Sequence, residues 1–343
     1  MKKRRSRANI LKGKNILITG GTGFLGIALT KEILKKEPKS IRLFSRDEVK
    51  HHQAEELFNY NCKLRNFIGD VRDYSRLLKA TRQVDIVIHA AALKRIDLLE
   101  YNVEEAIKTN ILGTLNVVNA CLANKVEKAV FVSTDKACFP VNIYGACKFV
   151  GERIFIESNY SKGDIETIFS VVRYGNVLES TGSVIPLFSA KIKGDKPIPL
   201  TDPRMTRFII SPKKAVRLIF KVLEYARGGE IFVPRLFSFK MVDLIEVLKE
   251  KYKAKNKVKI TGVRPGEKIH ELLINESEVS RTVEFEDFYV IKSNIEKYMN
   301  IRKPIYLREG RKVNKRSIKE YSSKDHLISK QELKNFFKKL GLI

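Results

Sequence analysis

Short β-branched runs alternate along the chain with longer segments that have the hydrophobic spacing of amphipathic helices. The strand-like runs are apolar throughout, which is typical of strands buried on both faces of a sheet. Strands that alternate with helices predict parallel pairing through right-handed crossovers. The predicted strands span 15–19, 41–45, 64–69, 85–91, 128–133 and 167–175, and the predicted helices span 24–36, 48–58, 74–80, 103–124 and 143–158. The pattern therefore predicts an α/β fold with a doubly wound parallel sheet.

The alternation loosens after residue 176, where turn-forming residues become frequent. Helices are still predicted at 212–226 and 241–252, and an amphipathic helix at 329–340. No Pro/Gly/Ser-rich linker separates two independent domains. We interpret 12–176 as a dinucleotide-binding Rossmann core, 177–293 as a smaller α/β substrate-binding region interwoven with it, and 1–11 and 294–343 as basic terminal extensions.

The net charge of +27 is concentrated at the two ends of the 343-residue chain. Residues 1–14 hold seven basic and no acidic residues, and residues 291–343 hold fifteen basic and five acidic residues. A basic surface can attract nucleic acid or an anionic membrane, but solvated tails explain the same composition. Because no helix-turn-helix, zinc-finger or RNA-binding signature accompanies the charge, we predict no specific nucleic-acid partner.

The sequence contains no convincing signal peptide, membrane span or metal-binding motif. Lys12 and Lys14 interrupt the only N-terminal run that imitates a signal peptide, and no apolar run approaches the ~18 residues of a membrane span. The four cysteines form no CxxC pair, so we interpret them as reduced thiols and expect a cytoplasmic protein. The five histidines lack ligand spacing, and we predict no metal site.

A glycine pattern, Gly-Gly-Thr-Gly-Phe-Leu-Gly, lies between the first predicted strand and helix. Its first glycines permit a tight turn and close backbone approach to a pyrophosphate, and its last lets the helix pack on the strand. A plain turn would explain glycines alone, but the strand–helix junction favours a dinucleotide cradle. The predicted contacts in this cradle are Gly20, Thr22, Gly23, Phe24, Leu25 and Gly26.

The residues at the ends of the following strands predict which dinucleotide binds. An acid at the end of the second strand would bind the ribose 2′-hydroxyl of NAD, but Ser45 and Arg46 stand there. A hydroxyl and a guanidinium suit a 2′-phosphate, so we predict NADP, although Asp47 follows at once. Asp70 and Val71 are placed to meet the adenine. Further predicted cofactor contacts are Ala90, Tyr144, Lys148 and Val177.

Tyr144 and Lys148 are four residues apart on a predicted helix and therefore face the same side. A lysine cation beside a phenol is expected to lower the tyrosine pKa from about 10, so that the phenolate can deprotonate a sugar hydroxyl. The spacing also occurs by chance on amphipathic helices. Here Ser133 and Thr134, at the end of the preceding strand, are expected to offer hydroxyls to the same oxygen.

Together these segments resemble an extended short-chain dehydrogenase/reductase. The resemblance is carried by ITGGTGFLG, GDVRD, HAAALKRID, STDKA, YGACK and RYGNV. Longer motifs, STDKACFPVNIYGACK, RYGNVLESTGSVIPLF, MTRFII and GVRPGEKIHE, are similar to those of the inverting UDP-N-acetylglucosamine 4,6-dehydratases, which begin pseudaminic acid synthesis. The resemblance covers roughly residues 12–295 and leaves both basic ends outside it.

The resemblance implies a mechanism centred on Thr134, Asp135 and Lys136. Tyr144 deprotonates the C4 hydroxyl while NADP+ takes the C4 hydride, Lys136 removes the C5 proton, and Asp135 helps to protonate the departing C6 hydroxyl. Hydride returns to C6 and C5 is reprotonated on its other face. Lys136 must be neutral to act as a base, so its pKa is expected to be depressed, with Lys148 contributing. The alternative for Asp135 and Lys136 is a strand-end ion pair.

The resemblance also implies UDP-N-acetylglucosamine as the substrate and a homo-oligomeric assembly. The implied substrate contacts are Lys94, Ser133, Thr134, Asn176, Ser183, Val184, Arg207 and Arg264. Guanidinium groups suit a diphosphate, although each arginine is also compatible with a solvated surface charge. The alternatives left open are a sugar-nucleotide 4-epimerase, reductase or retaining dehydratase on the same fold, a non-catalytic NADP-binding protein, and a basic scaffold that acts through its tails.

Overall fold

The structure is a computed structural model that describes residues 9–180, 184–295, 304–313 and 319–342. Its centre is a ten-stranded sheet in which seven neighbouring strands are parallel and three antiparallel strands close one side. In spatial order the strands are Arg311–Lys312, Thr282–Phe285, Phe288–Ile291, Ile231–Pro234, Ile168–Tyr174, Lys128–Thr134, Ile86–His89, Asn15–Thr19, Ser40–Ser45 and Leu64–Ile68. The predicted doubly wound parallel sheet is confirmed.

The helices lie close to their predicted positions. Their bounds are Phe24–Leu34, Glu48–Leu57, Tyr74–Ala80, Ile96–Leu99, Val103–Ala106, Gly113–Ala123, Ile143–Ser161, Val184–Lys193, Pro212–Tyr225, Met241–Tyr252, Glu276–Val279, Ile305–Glu309 and Lys330–Lys339. Side-chain caps explain several of the starts, for example Asp73, which accepts a hydrogen bond from the Arg76 backbone N–H. The predicted helix over 103–124 is interrupted by a π-helical turn at Ile107–Leu112.

Burial explains why the parallel strands are apolar throughout. Leu17, Ile18 and Val87 are completely buried because helices cover both faces of the sheet. The first strand, Asn15–Thr19, pairs on one side with Ser40–Ser45 and on the other with Ile86–His89. The strand order reverses at this first strand, which opens a crevice at the carboxyl ends of the strands where ligands bind in such sheets.

The sheet takes strands from both sides of residue 176, and the predicted domain boundaries stay a prediction. Smaller sheets pair Ser238–Lys240 with Thr206–Ile210 and Val258–Ile260 with Ile198–Leu200. A second apolar core lies beneath them, formed by side chains of the Met241–Tyr252 helix and its neighbours.

The described part of the basic C-terminal segment is integrated into the fold. Tyr321–Ser322 pairs with Leu272–Ile274, and the helix Lys330–Lys339 buries Leu333 and Phe337 in the second core. The amphipathic helix is confirmed, but the interpretation of this segment as a solvated tail is wrong because its apolar residues complete that core. Among the described residues, every helix is too short or too polar to cross a bilayer.

Candidate active site

One large cavity, of about 990 Å³, lies at the carboxyl ends of the parallel strands. It brings together most of the side chains that the sequence singled out. The predicted site residues that line it are Gly20, Thr22, Gly23, Phe24, Leu25, Gly26, Ser45, Arg46, Asp70, Val71, Ala90, Lys94, Ser133, Thr134, Lys136, Tyr144, Lys148, Asn176, Val177, Val184, Arg207 and Arg264. Asp135 lies directly behind them, fully buried, and Ser183 lies outside the described residues.

The glycine turn has the shape of a phosphate cradle. Gly20 has a φ of +69°, which side-chain-bearing residues rarely adopt, and its carbonyl accepts a hydrogen bond of 2.9 Å from the Gly23 N–H. A Cβ on Gly26 would lie 2.3 Å from the Gly21 carbonyl oxygen. The helix Phe24–Leu34 then starts without a side-chain cap, so its first N–H groups face the cavity. These features fit a dinucleotide pyrophosphate.

The far end of the cradle is polar. The Ser45 hydroxyl lies 2.7 Å from the Thr22 hydroxyl and 2.9 Å from His51 Nε2. The Arg46 side chain is 54% exposed, and its Nη1 lies 3.7 Å from Asp70 Oδ2. Ser45 is therefore held in place, whereas Arg46 lines the cavity with more than half of its side chain exposed. The choice of NADP over NAD stays a prediction.

Lys136 lies between two buried carboxylates. The strand Lys128–Thr134 ends in a single 3₁₀ turn, Asp135–Ala137, which places Lys136 Nζ 3.0 Å from Asp135 Oδ1. The same Nζ lies 3.4 Å from Glu271 Oε1. The Thr134 hydroxyl donates to Asp135 Oδ1 at 2.9 Å. Asp135 Oδ2 and Glu271 Oε2 are buried and have no hydrogen-bond partner among the described residues.

These contacts reverse one expectation. Burial alone would lower the pKa of Lys136, but the carboxylates of Asp135 and Glu271 outweigh burial and raise this pKa. The predicted depression of the Lys136 pKa is therefore wrong in this structure. Burial also raises the pKa of Asp135, although Lys136 opposes the shift. A carboxyl with a raised pKa can donate a proton.

Tyr144 and Lys148 share the face of one helix, Ile143–Ser161, as predicted. The Lys148 ammonium, however, donates to the Val132 carbonyl at 2.8 Å and lies over the Phe131 ring. Burial lowers the pKa of Lys148 to about 8. Burial raises the pKa of Tyr144 to about 12, and the predicted lowering by Lys148 is wrong here. Lys136 is the cation that favours the phenolate.

The Ser133 hydroxyl does not point to the same place as the Thr134 hydroxyl. Ser133 borders the cavity but is buried, and its hydroxyl donates to Glu152 Oε1 at 2.7 Å. Adjacent residues of a strand face opposite sides, so the predicted pair of hydroxyls on one substrate oxygen is not what the structure shows. Glu152 in turn binds Arg173, which is completely buried and also binds Glu278.

The implied substrate contacts are distributed around the wider end of the cavity. The side-chain oxygen of Asn176 is buried and has no hydrogen-bond partner among the described residues. Arg207 donates to the Thr206 and Ile269 carbonyls at 2.8 and 3.0 Å, so its position is fixed. Arg264 is exposed on the rim, and burial lowers the pKa of Lys94.

Sequence reasoning missed Glu271. It is the last residue of GVRPGEKIHE, a motif that marks the resemblance, yet nothing in that motif shows which side chain meets Lys136. Within the described residues, no group of three or more His, Cys, Asp or Glu side chains could hold a metal ion.

Comparisons with known proteins agree with this geometry. A family model described as polysaccharide biosynthesis protein matches residues 16–293. The chain is 48% identical over 288 residues to the inverting UDP-N-acetylglucosamine 4,6-dehydratase of Campylobacter jejuni serotype O:23/36, covering 83% of this chain and 85% of the relative. It is 41% identical over 282 residues to the UDP-glucose 4-epimerase of Rickettsia massiliae, covering 81% and 82%.

A solved structure covers more of the chain. The X-ray structure of Pen from Bacillus thuringiensis superimposes with a TM-score of 0.89 and 38% sequence identity, over 97% of this chain and 99% of that one. The likeness therefore extends beyond residue 293, where the family model stops, into the C-terminal segment.

Proposed function

The chain belongs to the polysaccharide biosynthesis protein family, and on that premise we propose that it is an inverting UDP-N-acetylglucosamine 4,6-dehydratase. The observation that carries the proposal is the Asp135–Lys136 pair, which lies in the same cavity as Tyr144 and a dinucleotide cradle. The 48% identity to a dehydratase of that name supports the same activity. The product is a 4-keto-6-deoxy sugar nucleotide with C5 inverted, and its use in pseudaminic acid synthesis stays a prediction.

Each side chain at the reaction site has a different role in the proposed reaction. Tyr144 takes the proton of the C4 hydroxyl, and Thr134 lies beside it to orient that oxygen. NADP, when bound in the cradle, supplies the hydride acceptor and later the hydride donor. Lys136 takes the C5 proton, which a C4 ketone makes acidic, and Asp135 protonates the departing C6 hydroxyl. The raised pKa of Asp135, caused by burial, supports its role as the acid.

Substrate binding uses the other side of the cavity. We assign the sugar to the buried, unpartnered oxygen of Asn176 and the diphosphate to Arg207 and Arg264, whose guanidinium groups suit two phosphates. Lys94 and Val184 line the same region. The Ser45–Arg46 pair supports NADP as the cofactor.

Assembly and location are also proposals. Exposed apolar side chains concentrate on the helices between residues 96 and 123 and on the Ile143–Ser161 helix: Leu98, Tyr101, Val103, Ile107, Leu112, Leu115, Phe149 and Val150. Exposed apolar side chains concentrated on neighbouring helices support a homo-oligomer, which light scattering after size exclusion tests. A cytoplasmic location is supported only by the cysteine usage.

The deciding experiment follows the sugar by proton NMR in deuterated water, with purified protein and UDP-N-acetylglucosamine. The proposal expects a new C6 methyl signal, deuterium at C5 and the couplings of an inverted ring. A methyl signal with C5 retained would keep a dehydratase but remove the stereochemical claim. No methyl signal, even with NADP+ added, would contradict the proposal.

A second candidate is a sugar-nucleotide 4-epimerase, which the 41% identity to a protein of that name favours. An epimerase needs no acid–base pair beyond the C4 oxidation site, and Asp135 with Lys136 would then be a structural ion pair. In the same NMR experiment an epimerase gives an inverted C4 without a methyl group or deuterium at C5.

A further inference from the structure

Lys136 has two carboxylate neighbours, one adjacent to it in sequence and one far along the chain. Asp135 precedes it on the same turn, and Glu271 follows it by more than a hundred residues. The side chains of the two carboxylates are 0% and 3% exposed, whereas that of Lys136 is 20% exposed and lines the cavity. Lys136 is thus the most accessible of the three side chains, and Glu271, which also borders the cavity, meets it at 3.4 Å.

The charged groups around Lys136 come from four segments of the chain. Asp135 lies on its own turn, Arg207 Nε and Lys268 Nζ lie 3.8 and 3.9 Å from the Glu271 carboxylate, and Tyr144 faces it from the neighbouring helix. Although burial alone would raise the pKa of Glu271, the cations Lys136, Arg207 and Lys268 lower it. Glu271 thus meets Lys136 at 3.4 Å with cations on its other sides, whereas burial raises the pKa of Asp135.

An ammonium cannot accept the C5 proton, so Lys136 must first lose a proton of its own. We propose that Glu271 is the proton partner of Lys136: it takes that proton and thereby frees Lys136 to act as the C5 base. This inference rests on the proposed function. One proton moves from Nζ to the Glu271 carboxylate, so an ion pair becomes a neutral pair and no external base is needed. A substrate that covers Lys136 and excludes water favours the neutral pair, since buried charges lose solvation.

The following step balances within the site. The C5–H bond breaks and its proton goes to Lys136 Nζ. The electron pair forms the C5–C6 double bond as the C6–O bond breaks, and the leaving oxygen takes the proton of Asp135 and departs as water. Lys136 then passes the proton taken from C5 to Asp135, 3.0 Å away, and Glu271 returns its own proton to Lys136, which restores all three groups. Because it works through Lys136, Glu271 is a positioning residue rather than a catalytic one.

The integrated C-terminal segment fixes the Glu271 backbone. The Glu271 N–H donates to the Ser323 hydroxyl oxygen at 2.8 Å, and the Ser323 N–H donates to the Glu271 carbonyl at 2.9 Å. The same hydroxyl lies 2.7 Å from that of Thr206, next to Arg207. Ser323 is completely buried. One serine thus holds both the strand that carries Arg207 and the backbone of Glu271.

The test measures deuterium exchange at C5 and the first hydride transfer separately, in the full-length Glu271→Gln and Glu271→Asp variants. Glu286→Gln is the matched control, because it removes the carboxylate of a Lys–Glu pair, Lys221–Glu286, outside the cavity. In the wild type the pair holds one proton throughout, so we expect C5 exchange to be nearly flat between about pH 6 and 9.

In Glu271→Gln we expect C5 exchange about 10²-fold slower near pH 7 and rising with pH, because Lys136 must then lose its proton to solvent. The rate of C4 oxidation, read as NADPH absorbance in a single turnover, stays within about twofold. Glu271→Asp recovers part of the exchange. Exchange equal to wild type in Glu271→Gln, or an equal loss of C4 oxidation at every pH, overturns the proposal.

A second readout needs no substrate and separates this proposal from the proposed function. The Lys136 Cε signal of ¹³C-lysine-labelled protein, assigned with Lys136→Met, is followed against pH. We expect no titration in the wild type below about pH 10 and a midpoint at least about one unit lower in Glu271→Gln than in Glu286→Gln. An unchanged Lys136 midpoint would contradict the proposal that Glu271 is its proton partner, even if the protein is an active dehydratase. A wild-type protein that shows the expected midpoint shift but has no dehydratase activity would contradict only the proposed function.

Discussion

The two ends of the cavity are constructed on different principles. The cradle end is one contiguous strand–turn–helix, and its fit depends on the absence of side chains at Gly20 and Gly26. The reaction end joins residues from several distant segments, among them Asp135–Lys136, Tyr144, Arg207 and Glu271. Its fit depends on buried charges that balance one another.

The difference indicates how each end tolerates change. Binding in a backbone cradle depends on shape, so it is expected to tolerate changes of charge nearby and to be lost when a Cβ is added to one of its glycines. A set of buried charges fails when one partner is removed, because the remaining charge is left without compensation. Changes at the reaction end are therefore expected to spare cofactor binding, and changes at the cradle end to spare the proton transfers.

Replacement of Lys136 by methionine tests this separation with the largest expected effect. The variant keeps the length of the side chain and removes the base, so we expect C5 exchange and methyl formation to fall about 10³-fold. The affinity for NADP, measured by fluorescence titration of NADPH, stays within about threefold. A comparable loss of NADP affinity would show that the two ends are not independent.

Replacement of Arg173 by methionine tests the buried charges behind the reaction end. Arg173 binds Glu152 and Glu278, and its loss leaves two buried carboxylates, so we expect the free energy of unfolding in urea to fall by about 3–5 kcal/mol near pH 7. Arg153→Met is the matched control, because Arg153 Nη2 lies 3.6 Å from the same Glu152, while 28% of the Arg153 side chain is exposed against 1% for Arg173. We expect the control to lose less than about 1 kcal/mol.

The same pair predicts a pH dependence. Burial alone would raise the pKa of Glu278, yet Arg173 holds that pKa below its usual value. A carboxyl whose pKa is lower in the folded protein contributes stability above its unfolded pKa and loses that contribution as the pH falls. The gap in unfolding free energy between wild type and Arg173→Met is thus expected to shrink below about pH 5. A gap that widens in acid would contradict the assignment.

The sequence predicted the cradle end well because its information is local. The strand Asn15–Thr19, the glycine turn and the following helix are neighbours in sequence and in space. The helix Tyr74–Ala80 also has the predicted bounds, because Asp73 caps it. Patterns of this kind require no knowledge of what packs against them.

The reaction end was predicted only in part, because its decisive contacts are long-range. The pKa of Lys136 was expected to fall, but Asp135 beside it and Glu271, from a segment far along the chain, together raise it. The position of Lys148 at the Val132 carbonyl depends on tertiary packing. The Ser133 hydroxyl is different, because the alternation of side chains along a strand predicts that it points away from the Thr134 hydroxyl.

Replacement of Ser323 by alanine tests the smaller, long-range support of the reaction end. It leaves the buried Glu271 N–H without its acceptor, which costs about 1–3 kcal/mol of unfolding free energy. We expect kcat to fall severalfold while the affinity for NADP is unchanged. The exposed neighbour Lys324→Ala is the control and is expected to stay within about 0.5 kcal/mol. Unchanged kcat in Ser323→Ala would mean that the C-terminal segment supports the fold alone.

Replacement of Arg46 by alanine has the smallest expected effect and acts only on the cradle end. The Arg46 side chain is 54% exposed, so its attraction to a 2′-phosphate is screened by water and salt. We expect the dissociation constant of NADP to rise about tenfold, near 1.4 kcal/mol, and that of NAD to change little. C5 exchange at saturating NADP stays at the wild-type rate.

A matched control separates this effect from the neighbouring acid. Arg72 also binds Asp70, at 2.7 Å, but it is not among the residues that line the cavity. If Arg46 acts on the phosphate itself, Arg72→Ala keeps the preference for NADP. If Arg46 acts only by neutralising Asp70, both variants weaken NADP and NAD alike. That second result would mean that Ser45 and the glycine turn alone determine which cofactor binds. Recognition at the cradle end would then depend on shape, without any contribution from charge.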